Sequence, residues 1–77
     1  GRFDLIISNP PLHAGIAEDH GALTDLMTKA PQHLMRSGHL VMVVQRRIQL
    51  EKPLGALFKT VKMIAETSRF RVWDAAV

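Results

Sequence analysis

The segment FDLIISNPPLH, Phe3 to His13, carries an apolar run that stops abruptly at Asn9-Pro10-Pro11. Leu5-Ile6-Ile7 is continuous rather than alternating, the pattern of a strand covered on both faces in a parallel sheet flanked by helices. Pro10 and Pro11 lack the N–H that a ladder or helix uses, and each pushes the residue before it toward extended backbone, so the strand must end there. What remains at its carboxyl end is the Asn9 amide and the Pro10 carbonyl, two acceptors in a stiff frame. Open α/β sheets place their ligands at that end of a parallel strand.

Downstream, HAGIAEDHG, residues 13–21, mixes glycines, acids and histidines without period and reads as a loop. Leu23, Leu26, Met27, Ala30 and Leu34 then recur at three- and four-residue spacing and predict a helix over Ala22 to Arg36, with Gly38 as its stop. Pro31 is expected to kink or split that helix. His39 to Gln45 is a second continuous apolar run and predicts an interior strand. Arg46 to Lys52 follows as a charged loop, at the same end of the sheet as Asn9 if the two strands are parallel. A short helix is expected over Pro53 to Lys59, with Leu54, Leu57 and Phe58 on one side. The runs TVKMIAET and FRVWDAAV are separated by too few residues for a helical crossover and predict an antiparallel hairpin. Arg69 and Arg71 beside Phe70 and Trp73 are compatible with nucleic-acid stacking, but alternation in the hairpin more simply puts Phe70, Val72 and Ala76 on one face and favours packing over base stacking for Trp73.

The order strand, helix, strand, helix, hairpin is an α/β arrangement in which both early strands call for neighbours on each side. At 77 residues such a chain buries only about 60 % of its unfolded surface, so the sequence implies part of a larger domain, or a chain that pairs with another copy. Marginal folding or self-association of the isolated chain is expected. With no cysteine there is neither a disulfide framework nor a thiolate metal site, which favours a reducing, cytoplasmic setting. His20, His33 and His39 have no metal-ligand spacing, so no metal is expected. The longest apolar stretch, Leu40 to Val44, is far short of the roughly 20 residues of a membrane span. A net charge of +3 and a pI near 10.0 are compatible with a polyanionic partner such as RNA.

With these residues in view, GRFDLIISNPPLH resembles the corresponding segment of S-adenosyl-L-methionine-dependent N-methyltransferases that carry an Asn-Pro-Pro motif. Together with a helix followed by Ser-Gly, an apolar strand and the late SRFRVW block, it is similar to the carboxyl-terminal half of the ribosomal RNA guanine-N2 methyltransferases, a small methyltransferase domain. The resemblance implies the C-terminal half of a Rossmann-like class I methyltransferase sheet over residues 1–77, with the cofactor-binding N-terminal half absent. It implies S-adenosyl-L-methionine as cofactor, ribosomal RNA as substrate, and methyl transfer to an exocyclic base amine, guanine N2 being favoured over adenine N6 or a glutamine amide.

Residue by residue, the resemblance assigns the amine-accepting, catalytic role to Asn9 and Pro10, and puts Asn9 against the cofactor as well. Pro11, Leu12 and His13 are assigned to the target base. Leu12 departs from the family, which commonly has an aromatic there to stack on a flipped base, a contact of about 1–3 kcal/mol. His13 also reads as a plain loop histidine. Arg46, Arg47 and Lys52 read equally as contacts to RNA phosphates from the rim of the site and as a solvated loop. The glycines at 1, 15, 21, 38 and 55 form no G-x-G pattern, so most of the cofactor cradle lies outside the chain, and the chain alone is expected to be inactive. The other reading is a truncated, non-catalytic remnant that serves as a small assembly or interaction module. In that case Asn9-Pro10-Pro11 is only a way to end a strand.

Overall fold

The computed structural model describes residues 2–9 and 20–77. Pro10, Pro11, Leu12, His13 and the loop expected around them, up to residue 19, lie outside the described residues. The elements are β1 (Phe3–Ser8), α1 (His20–His33), β2 (Leu34–Gln45), α2 (Glu51–Leu57), β3 (Thr60–Glu66) and β4 (Phe70–Ala76). They form one four-stranded mixed sheet in the order β1-β2-β4-β3. β1 runs parallel to β2, and β4 is antiparallel to both β2 and β3. The predicted hairpin is present, and its second strand inserts beside β2.

One face of the sheet carries the helices. Leu40, Met42 and Val44 of β2 and Trp73 and Ala75 of β4 point to that face and are buried with Met27 and Ala30 of α1, Leu54 of α2 and Phe58 just beyond it. The register Ile6↔Leu40, Met42↔Trp73 and Leu40↔Ala75 brings these side chains into the same layer. Trp73 is therefore packing, although its indole Nε1 is buried without a hydrogen-bond partner among the described residues.

Several expectations need correction. β1 is not covered on both faces: it is an edge strand, and Phe3, Leu5 and Ile7 are 58, 50 and 68 % exposed. Among the described residues its outer edge pairs with nothing. α1 begins at His20 and ends at His33, and Pro31 neither splits it nor ends it at once. The proline lies in the last turn, where its missing N–H removes one helical bond only two residues before the helix stops. Leu34 consequently belongs to β2, buried all the same. Gly38 is not a helix stop but part of an irregular crossing of β1 and β2, where Phe3 and Leu5 are matched by Leu34 and His39. Ser37 takes left-handed backbone there, φ 66°. A Cβ on Gly38 would stand 2.8 Å from the Met35 carbonyl oxygen, a close approach only glycine permits. α2 starts at Glu51, so Pro53 falls within its first turn, where a missing N–H costs nothing. Leu57 is exposed, and the buried side of α2 is Leu54 with Phe58 following it.

Candidate functional site

Because β1 and β2 are parallel and β4 returns against β2, three segments finish at one end of the sheet. Asn9, exposed, follows Ser8, which is level with Met42. The turn after β2 carries Arg46 and Arg47. The β3–β4 turn carries Ser68 and Arg69, and its first ladder residue, Phe70, is level with Gln45.

Each turn is fixed by its own backbone. The Ile48 N–H donates to the Gln45 carbonyl at 2.9 Å, and the buried Ile48 side chain anchors the turn, leaving Arg46 and Arg47 outward. In the hairpin the Thr67 N–H donates to the Phe70 carbonyl at 2.8 Å. The Thr67 hydroxyl oxygen accepts from the N–H groups of Phe70 and Arg69 at 2.9 and 3.2 Å, a local closure typical of threonine in turns. The two turns are joined where the Arg46 N–H donates to the Arg69 carbonyl at 2.8 Å.

Between them lies a shallow cleft of about 700 Å³ lined by Gln45, Arg46, Arg47, Gln49, Ser68, Arg69, Phe70 and Arg71. Among the described residues four guanidinium groups line it and no carboxylate does. Just behind, Oε2 of Glu66 accepts from Nε of Arg71 at 2.7 Å and forms an ion pair with Arg46, whose Nε stands 3.2 Å away. The hydrogen bond from Arg71 first, and then the charges of Arg46 and Arg71, hold the Glu66 carboxyl below its ordinary value of 4.5, outweighing the opposing effect of desolvation. Arg47 donates from Nε to the Gln45 side-chain oxygen at 2.9 Å, which orients it along the cleft.

The sheet thus brings Asn9, Arg46 and Arg47 to the same end, as parallel strands require. It does not place Asn9 in the cleft: that residue follows the neighbouring strand, two strand spacings, or about 10 Å, from the line of β4. From the sequence, Arg69 and Arg71 are compatible with a nucleic-acid patch but yield to packing, and Glu66 is not singled out. The signal that finds them is the hairpin itself, since a β4 antiparallel to β2 must bring its turn beside the β2–α2 turn. Among the described residues no three His, Cys, Asp or Glu side chains gather as a metal site. No helix there is long and apolar enough to cross a membrane.

A mixed sheet with a parallel β1–β2 pair, a helix between them and a terminal hairpin tucked against β2 is the fold of an α/β methyltransferase. The solved T. thermophilus 16S rRNA N2-guanine methyltransferase (RsmC), in complex with AdoMet and guanosine, superposes with a TM-score of 0.82 at 26 % identity, over 97 % of this chain and 20 % of that one. A Pyrococcus furiosus methyltransferase shares the fold, with a TM-score of 0.65 at 22 % identity over 99 % of this chain and 41 % of its own. Residues 1–74 match the methyltransferase small domain, and the chain belongs to that family. Its curated relatives include the ribosomal RNA small subunit methyltransferase C of Haemophilus influenzae, 40 % identical over 74 residues, or 96 % of this chain. That of Pseudoalteromonas translucida is 36 % identical over 75 residues, or 97 % of the chain. In both cases the chain spans 22 % of the relative's length.

Proposed function

We propose that this chain is the acceptor-side part of an S-adenosyl-L-methionine-dependent methyltransferase acting on an exocyclic amine of a ribosomal RNA base, with guanine N2 as the favoured acceptor. The observation that carries this reading is the position of Asn9: an exposed amide at the carboxyl end of a parallel strand, in a chain 40 % identical to a ribosomal RNA methyltransferase. The cytoplasm, where such RNA is made and assembled in bacteria like those relatives, is the setting we assign to it.

The amine of guanine is a poor nucleophile because its lone pair is delocalised into the ring. Acceptors for its two N–H groups, placed on one side, direct that lone pair and stabilise the positive charge that develops on nitrogen. Asn9 through its side-chain oxygen and Pro10 through its carbonyl take this role, with Pro11, Leu12 and His13 against the base and Arg46 and Arg47 toward phosphate. S-adenosyl-L-methionine, when bound, supplies an electrophilic methyl group on a sulfonium centre. Asn9 fits that neighbourhood, since an uncharged amide oxygen tolerates the sulfonium charge while accepting from the amine. The other amide at these strand ends, Gln45, already accepts from Arg47, and we assign the cofactor's methionine and ribose to chain outside the described residues. The free edge of β1 and the uncovered apolar face beside it are the surfaces on which we place that remainder of the domain.

Single-turnover methyl transfer to ribosomal RNA by the full-length protein tests the assignment. Asn9→Ala is expected to slow the chemical step by about 10² to 10³, or roughly 2.7–4 kcal/mol, with RNA affinity nearly unchanged. Transfer at the parent rate would return Asn9 to the role of ending a strand. Calorimetry on the 77-residue chain alone is expected to show no binding of the cofactor at micromolar concentrations.

A further inference from the structure

We propose that the cleft between the β2–α2 turn and the β3–β4 turn holds the RNA strand flanking the target base, with Arg69 on a phosphate and Phe70 beneath a base. The inference rests on the methyltransferase reading above and adds to it residues from the hairpin, which that reading does not use.

The lining excludes a small enclosed ligand. Every residue of it is exposed or half-buried, whereas pockets for small molecules bury most of their ligand's surface. A surface of this kind fits an extended polyanion, gripped at several points along its length. Among the described residues no acid lines the cleft, and Glu66 beside it already pairs with both Arg46 and Arg71. That clamp also fixes two guanidinium groups in place, which reduces the side-chain entropy lost when a phosphate arrives. The Arg69 side chain has no partner among the described residues and stands on a turn closed by the Thr67 hydroxyl, so its backbone position is set while its guanidinium remains available.

Phe70 supplies what phosphate binding alone does not require. It is 42 % exposed at the first position of β4, although an aromatic ring there gains little from water. An exposed ring set among arginines is the combination by which single-stranded RNA is held, through stacking on the ring and charge on the backbone. The cleft lies at the same end of the sheet as Asn9, so one strand can pass along it and present its next base to the amide.

The test is fluorescence anisotropy of a labelled single-stranded RNA of about a dozen nucleotides, a length matched to such platforms, titrated with the full-length protein over a range of salt. Arg69→Ala is expected to weaken binding and to lower the slope of log affinity against log salt by about 0.7, the value for one phosphate contact on a single strand, while Arg69→Lys keeps the parent slope. Phe70→Ala is expected to weaken binding about 5- to 150-fold with no change in slope. Both variants are expected to melt like the parent. Parent slope in Arg69→Ala, or parent affinity in Phe70→Ala, overturns the proposal. So does loss of binding to phosphatidylserine vesicles in Arg69→Ala with RNA affinity intact, which would make the cleft a lipid-facing patch. Asn9→Ala separates the two readings: if it transfers methyl at the parent rate while the cleft variants lose RNA, the chemistry is misassigned and the cleft stands.

Discussion

On the helix-bearing side of the sheet Leu40, Met42, Val44, Trp73 and Ala75 are shut away from water, whereas on the opposite side Leu5 and Ile7 stand 50 and 68 % exposed and Val41, Val43 and Val72 are only half-buried. The two faces alternate along the same strands and are similarly apolar. What separates them is cover: α1 and α2 both lie on one side. The open side also carries a polar bridge, from His39 Nδ1 to Asp74 Oδ1 at 2.7 Å. Solvent-facing sheets ordinarily carry polar residues on their outer side. This face is built as though it were interior, which is why we assign it to the rest of a domain.

The largest effect that tests this contrast is expected at Trp73. Trp73→Ala should cost about 3–5 kcal/mol, the range for deleting a buried aromatic, and in so small a chain that removes most of the margin of stability. Ile7→Ala, an apolar truncation on the other face, should change the thermal stability of the 77-residue chain by less than about 0.5 kcal/mol, as surface changes do. In the full-length protein the same Ile7→Ala should cost about 2–5 kcal/mol if that face is covered there. Equal effects of Ile7→Ala in the two proteins would show that the open face stays open. Sedimentation sharpens the point: the chain alone should self-associate through its exposed apolar patch, and Ile7→Lys should reduce that.

A smaller loss is expected where the edge strand is fastened to the covered core. The crossing of Phe3 and Leu5 against Leu34 and His39 depends on Gly38, whose added Cβ would meet backbone oxygens of Met35 at 2.8 Å and Phe3 at 3.1 Å. Backbone atoms cannot swing aside as a side-chain end can. Gly38→Ala should therefore destabilise by about 1–3 kcal/mol, as overpacking does, and thermal denaturation would read it directly. A neutral outcome would mean that β1 is loosely held, and that the open face is loose with it.

These contrasts also mark what was legible beforehand. Leu40 to Val44 announced an interior strand, and the short link between the last two apolar runs announced the hairpin. Both follow from local pattern, and both are present. The continuous Leu5-Ile6-Ile7 run announced a strand buried on both sides, which is a statement about neighbours, and no neighbour lies beyond β1 among the described residues. Helix length was misjudged because Leu34 fits the three-four spacing of α1 while it is buried from β2 instead. At the site, Arg46 and Arg47 were accessible because they directly follow an apolar strand. Arg69 beside Phe70 was visible as a basic-aromatic pair but outweighed by packing, and Glu66 was not visible, since its pairing with Arg46 and Arg71 depends on β4 lying between β2 and β3.

The smallest effect concerns the rim where the two turns meet. Glu66 is held below 4.5 by the hydrogen bond from Arg71 and by the charges of Arg71 and Arg46, so the folded protein binds its proton less readily than the unfolded chain does. The stabilisation is then complete above about pH 4.5, the unfolded value, and is lost as pH falls through the lower folded value. Between those two values the parent should lose stability on acidification more steeply than Glu66→Gln, which has no proton to take up, while near neutrality the two should differ little because both partners are partly exposed and the pair is screened. Carboxyl NMR should show Glu66 titrating below 4.5 in low salt and moving back toward it as salt is added. A titration at or above 4.5 would mean that the arginines are not clamped, and that the cleft must order all its cations only when RNA arrives.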